Sequence, residues 1–281
     1  MSDIHPLAYV EKGAQIAQNV TIEPFATVKK NVILKAGAVI RSHAYLDGYT
    51  TIGERSVVFP GAAIGLKPQD LKYKGEKTFV EIGQDCSIRE YVTINASCQE
   101  GSTVKVGDGS LIMAYCHLAH NCTVGKKVIM ANGVQLAGHV QIEDYAVIGG
   151  MTPVHQFCRI GSYAMVGGFS AVSHDVPPYM LGAGYPFRLG GLNLVGLKRH
   201  RFSLEVRVEL AKAFRLIYRS GLGLQKALKE MEKLQPFPEI VHLIEFCLSS
   251  KRGLIDLGGI VQRIPENRAA ENKTEELLDE R

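Results

Sequence analysis

Residues 116–122 read CHLAHNC, with two cysteines and two histidines in seven positions. Such side chains can ligate zinc, supply a thiolate nucleophile, or move a proton near neutral pH, where a neutral imidazole is a competent general base. The H-x2-H and C-x5-C spacings match no usual zinc pattern, so a metal held within one chain is not expected; a metal shared between subunits stays open. Nothing nearby in sequence lowers a thiol pKa, so Cys116 and Cys122 read as small buried residues. Other candidates are His139 in LAGHV, His155 and Gln156 in VHQF, and His174. Which chemistry applies depends on where each side chain points.

A period of six fixes the directions. Stepping by six from Ile4 to Val172, 26 of 29 positions are apolar, and only Asp70, Glu76 and Glu100 break the series. A composition about half apolar would fill only about half of them by chance. Six is neither the helical period nor a plain alternation. It suits two-residue strands separated by tight turns, each sixth side chain entering one narrow interior, as in a parallel β-helix. Three hexads per triangular coil give about ten coils, spaced by roughly 4.8 Å. Small residues flanking the inward positions, as in AGAV, IGGM and VGGF, are expected to let the chain turn.

In this frame Leu118 points inward. Cys116 and Cys122 occupy equivalent places on different faces and do not converge. Eighteen residues separate neighbours along an edge, which aligns His120, Gly138, Gln156 and His174 in one column with His139 and His155 beside it. Two windows, 65–81 and 95–105, break the series yet restore its phase. They read as loops projecting from the prism, and loops on a rigid scaffold are where binding groups concentrate. The second reads equally well as a plain solvated insertion.

After Val172 the period stops. HDVPPYMLGAGYPF is expected to be a connector, and helical patterns follow. Ser203 caps LEVRVELAKAFRLIYRSG, GLQKALKEMEKLQ forms a second helix closed by Pro236, and PEIVHLIEFCLSS a third. The polar end PENRAAENKTEELLDER is expected to fray. This gives a β-helical domain over 1–190 and a helical domain with a polar tail over 191–281. A net charge of +4 is too mild to indicate nucleic acid. Six scattered cysteines, no leader pattern and no long apolar run point to a reduced, cytoplasmic chain without a membrane span.

The hexads, the windows GLKPQDLKYKGE, HLAHNCTVG, LAGHV, IGGMTPVHQF and GLKR in this order, and three trailing helices resemble the UDP-N-acetylglucosamine O-acyltransferase family of lipid A biosynthesis over roughly residues 2–255. The resemblance implies a homotrimer of left-handed parallel β-helices, a hand that the period cannot supply. It implies active sites between subunits and transfer of a long acyl chain from acyl carrier protein to the 3-hydroxyl of UDP-N-acetylglucosamine. It implies no cofactor beyond the carrier's own phosphopantetheine, and no metal.

By the same resemblance His120 is the general base and Gly138 supplies the oxyanion-binding N–H. His117, His139 and His155 line the cleft. Asp70 and Lys72, with Gln69, hold the nucleotide sugar. Gln156 lies beside the acyl and sugar groups, and Asn193 and Arg199 lie near the nucleotide and phosphopantetheine. Gly168 floors the acyl groove. The chain departs from the family pattern at Asn121, often Asp there, at Val195, often acidic, and at His200, often Arg. An amide oxygen can accept an imidazole N–H but brings no charge, which leaves Asn121 and a backbone carbonyl as candidates for orienting His120. The cluster Lys198, Arg199, His200 and Arg201 suits an acidic carrier protein. The basic residues of the following helix (Arg207, Lys212, Arg215 and Arg219) read equally well as a solvated face. Alternatives on the same scaffold are an N-acyltransferase of the same pathway, which usually carries a domain before its hexads, and a trimeric zinc hydratase of carbonic anhydrase type.

Overall fold

Two-residue strands recur every six residues, and from Ile22 onward the inward residue of each is buried: Val28, Leu46, Ile64, Ile94, Leu118 and Leu136 are wholly inaccessible. A computed structural model describes residues 2–257. The strands wind into a left-handed parallel β-helix of triangular section, with three parallel sheets as its faces. The first face begins with Asp3–Ile4, the second with Tyr9–Val10 and the third with Gln15–Ile16. Each inward residue packs on its equivalent one coil away, as in Val10↔Val28 and Met130↔Ile148. Burying one such aliphatic side chain contributes about 1.5–3 kcal/mol, and the column repeats that gain in every coil.

The first face carries nine two-residue strands, from Asp3–Ile4 to Met165–Val166. Met180–Ala183 adds a tenth parallel strand to that face, in line with about ten coils, and the loop windows are not among them. The pairing shows why they are not: Ile64 lies against Ile94, and Ile94 against Leu118. The inserted residues leave between face two and face three and return without adding a strand. Both loops therefore project from the same corner of the prism, in successive coils.

The corners themselves turn differently from expectation. The left-handed residue of each corner is seldom glycine; Asn121, His139, Phe157, Tyr145 and Tyr163 all have φ between 51° and 67°. The cost of roughly 1–2 kcal/mol per residue is offset by stacking along the corner, as in Tyr145–Tyr163 with centroids 4.7 Å apart. The paired glycines serve close approach instead. A Cβ on Gly149 would overlap Gly168 N and stand 2.7 Å from Gly168 Cα.

The stretch read as a connector continues the prism. Val172 bridges Val154, Val176 bridges Ile160, and strand Met180–Ala183 pairs with Met165–Val166 before turning back antiparallel through Arg188–Leu192. The prolines at 177 and 178 hide this because they replace the regular turn. Four helices follow: α1 (Leu194–Arg199), α2 (Leu204–Tyr218), α3 (Leu224–Met231) and α4 (Pro238–Leu248). Ser203 caps α2 by accepting from Val206 N at 3.3 Å, and Pro238 opens α4. The short α1 falls in the segment read only as a basic cluster. Its cap is Asn193, whose Oδ1 accepts from Gly196 N at 3.0 Å. No helix among the described residues is long and apolar enough to cross a membrane. The polar end expected to fray lies outside the described residues.

Candidate active site

His117 and Leu118 form a face-two strand, and the chain turns at the next corner through His120 and Asn121. One coil on, Gly138 and His139 take the same two places, followed by Gln156 and Phe157. His139 packs edge-on to His120 with centroids at 5.2 Å and stacks on Phe157 at 4.7 Å. The two loops from the coils below bring Asp70 and Cys98 to this corner.

His120 is held from one side. Its Nδ1 lies 3.0 Å from Asn121 Oδ1, and Cys98 donates its S–H to the same oxygen at 2.9 Å. Asn121 Nδ2 donates to Ser102 Oγ at 3.4 Å, which fixes the amide so that its oxygen faces the imidazole. Ser102 is anchored within its loop by Ser97 Oγ at 2.7 Å and by the Gln99 N–H at 3.2 Å. This arrangement puts the proton on Nδ1 and leaves the Nε2 lone pair open. Nε2 faces the Asp70 carboxylate at 3.8 Å. The backbone N–H of Lys72, 2.9 Å from Oδ1, holds Asp70 below the usual carboxylate range, helped by His120 and by the Cys98 thiol.

Gly138 touches the other side of the ring. An ideal Cβ there would overlap His120 Cε1 and stand 2.5 Å from Nε2, so the imidazole lies directly on the glycine backbone. The Gly138 N–H donates to no group among the described residues. Burial and then repulsion by His120 push the His139 pKa down, and burial lowers that of His117, whose Nδ1 lies 2.7 Å from Thr93 Oγ1. Neutral imidazoles suit a corner that must accept a proton rather than carry several charges. His117 and His155, with Gln135, Ala137, Ala171 and Tyr185, line a mostly apolar groove of about 500 Å³ along face two.

Cys116 and Cys122 face inward. Their thiols donate to Ala131 O and Ala137 O, each at 3.1 Å, and burial pushes their pKa values up to about 11 and about 12. The thiol that reaches His120 is Cys98. The sequence reading missed it, together with Ser102 and Phe157, because its loop lies outside the period and no local spacing ties 98 to 120.

The remaining predicted residues stand elsewhere in the same chain. Gln69 is exposed on the loop that carries Asp70 and Lys72. Gly168 turns the corner between faces one and two, and Asn193 donates to Tyr163 O at 2.9 Å, at the corner between faces three and one. His200, beside Arg199, packs against Tyr145 and Tyr163 at that third corner. One chain therefore spreads the predicted residues over three corners. Of the basic residues of α2, Lys212 pairs with Glu209 at 2.6 Å and Arg207 Nε bonds the Phe202 carbonyl. Lys198 and Arg199 are exposed.

If Asn121 sets the tautomer, Asn121→Ala should lower kcat about tenfold with KM little changed, which is one neutral hydrogen bond of about 1–1.5 kcal/mol. Steady-state kinetics at saturating substrate check this; an unchanged kcat would leave the orienting role to another group.

A left-handed hexapeptide prism with an open imidazole nitrogen against a glycine amide at its corner defines a hexapeptide-repeat acyltransferase. Residues 103–138 match the bacterial transferase hexapeptide family and residues 175–255 match the second domain of UDP-N-acetylglucosamine O-acyltransferase. The chain belongs to the acyl-[acyl-carrier-protein]–UDP-N-acetylglucosamine O-acyltransferase family. It is 52% identical to the relative of that name from Chlamydia abortus over 256 residues, which cover 90% of this chain and 92% of the other. The Campylobacter concisus relative is 41% identical, with 90% and 97% covered. Among solved structures, the Bacteroides fragilis UDP-N-acetylglucosamine acyltransferase superposes with a TM-score of 0.87 at 40% identity, over 89% of this chain and 99% of that one. The Arabidopsis enzyme gives 0.79 at 34%, over 90% and 99%.

Proposed function

We propose that the chain moves a long acyl group from acyl carrier protein to the 3-hydroxyl of UDP-N-acetylglucosamine, opening lipid A biosynthesis, in the cytoplasm. The observation that carries the mechanism is the one-sided hold on His120, with Nδ1 engaged by Asn121 and Nε2 open toward Asp70 and Gly138. A sugar hydroxyl is a weak nucleophile. Nε2 accepts its proton as the oxygen attacks the thioester carbonyl, and the Gly138 N–H receives the developing oxyanion. The Asp70 carboxylate stabilises the transient imidazolium. Collapse breaks the carbon–sulfur bond, and Nε2 returns the proton to the departing thiolate. Asp70 and Lys72, with Gln69, hold the sugar nucleotide, and Gln156 and His155 border it. None of these steps needs a metal or a cofactor of the protein's own.

The active unit in this reading is a homotrimer. A threefold assembly lines each cleft with different corners of two chains, so the Gly168, Asn193 and Arg199 of one chain complete the site of its neighbour. Their distribution over three corners supports this, as does the apolar groove on face two, which offers one wall for an acyl chain. The prism to residue 190 carries the chemistry. The chain beyond it presents Lys198, Arg199 and Arg201 to the acidic carrier protein.

Mass spectrometry of the product formed from UDP-N-acetylglucosamine and a panel of acyl carrier protein thioesters tests the whole reading. One ester on the sugar 3-oxygen is expected; an amide product, or none from any donor, rejects it. Gly168→Met tests the groove floor. Gly168 has an ordinary φ and an ideal Cβ would lie 3.3 Å from Gly150 O, so the backbone accepts a side chain with a small shift. The variant should prefer a donor several carbons shorter, with kcat/KM for the longest donor down at least a hundredfold through steric exclusion. An unaltered donor ranking in the same assay removes Gly168 from the groove.

A further inference from the structure

We propose that Cys98, His120 and His139 form a site for a thiophilic divalent cation, zinc foremost, and that its occupation withdraws His120 from proton transfer. The three residues come from the 95–105 loop and two successive coils, and only the folded corner brings them together. Cys98 Sγ and one nitrogen of each histidine all lie within 4.8 Å of one another, the one such group among the described residues. Cys98 Sγ is 3.3 Å from His120 Nδ1. Tetrahedral zinc, with bonds of about 2.3 Å to sulfur and about 2.0 Å to nitrogen, sets that edge at roughly 3.5 Å. Since the three ligand atoms lie within 4.8 Å of one another, His139 has at most roughly 1.5 Å to close to complete three ligands. Thiolate and imidazole select zinc or cobalt over magnesium and calcium. The Asp70 carboxylate, 3.8 Å from His120 Nε2, adds negative charge at the site.

Two hydrogens now occupy the place the cation would take. Cys98 S–H and His120 Nδ1–H both donate to Asn121 Oδ1. Binding releases one proton, from the thiol. The imidazole stays neutral, but its proton moves from Nδ1 to Nε2 as Nδ1 becomes a ligand. Nε2 then has no lone pair with which to accept the sugar proton. Because the Cys98 thiol must lose its proton to ligate, affinity should strengthen as pH rises. The remaining five cysteines are buried, which leaves Cys98 as the thiol a metal ion can reach.

The inhibitory half rests on the proposed role of His120; the binding half does not. Titration of the full chain with Co²⁺ should give a near-ultraviolet thiolate-to-cobalt band and strong visible bands of tetrahedral cobalt. Cys98→Ser should abolish the charge-transfer band, and His139→Gln should weaken apparent affinity at least tenfold. No bands with the unsubstituted chain at millimolar cobalt, or the charge-transfer band surviving in Cys98→Ser, would overturn the site. Zinc at full occupancy should stop acyl transfer, and a chelator should restore it; unchanged turnover at full occupancy would overturn the withdrawal of His120. Full activity of His120→Ala in metal-free assay would defeat the base reading alone, because the cobalt spectra read the site without any turnover.

Discussion

His120→Ala is expected to reduce kcat on the order of a thousandfold while the chain keeps its fold and its assembly. The magnitude follows from general-base catalysis, which contributes roughly 10²–10⁴-fold. The retained fold follows from geometry. The residue that enters the prism at this coil is Leu118, wholly buried, whereas the His120 ring packs outside the column against Gly138, Cys98 and Asn121. Removing the ring opens space at a corner and leaves every coil-to-coil strand pair intact. The informative comparison is single-turnover acyl transfer beside circular dichroism and sedimentation. A variant that stays folded and assembled and transfers acyl groups within tenfold of the parent would remove His120 as the base. A variant that loses activity only because it no longer assembles would show in sedimentation.

Gly138→Ala is the second large effect, and it separates placement of the base from its presence. Alanine costs the backbone little, since Gly138 does not have the positive φ of its neighbour His139. Any loss of stability should therefore come from displacing the neighbouring ring, on the order of 1–3 kcal/mol, and leave the chain folded. The new methyl, however, would meet the imidazole at Cε1 and Nε2, so the ring has to move. Cys98 and Asn121 on its far side resist that movement. A displacement of about 1 Å from an attack geometry costs on the order of a hundredfold in rate. The loss should fall on kcat, because the loop residues proposed to hold the sugar nucleotide are untouched. Kinetics with both substrates varied, and the melting temperature of the variant, decide it. Near-parental kcat would mean that the imidazole and the amide act apart, and the proposed alignment of base and oxyanion donor would fail with it.

The further helices and loops divide in a similar way between what is local and what is not. The caps of α2 and α4 are written in Ser203 and Pro238, because a cap is satisfied within one turn. The short α1 is not, since its cap Asn193 is steadied by Tyr163 O, thirty positions away. Strand Met180–Ala183 was hidden in a segment rich in proline and glycine because its partner at Met165–Val166, not its own composition, makes it a strand.

The sequence by itself determined the prism. An apolar residue at every sixth place is a local regularity, and any chain that obeys it must turn at the same interval to bury that column. It also aligned His120 with Gly138, since one coil is eighteen residues wherever no loop intervenes. Only the tertiary structure decided which hexads are coil, because the loops restore the phase of six without adding a strand. It decided that both loops leave by the corner of His120, that Cys98 rather than Cys116 or Cys122 reaches the imidazole, and that Asn121 turns its oxygen to Nδ1. Those facts depend on where a loop closes and which neighbours fix a side-chain rotamer. Such contacts join positions with no fixed spacing, so no period along the chain can record them.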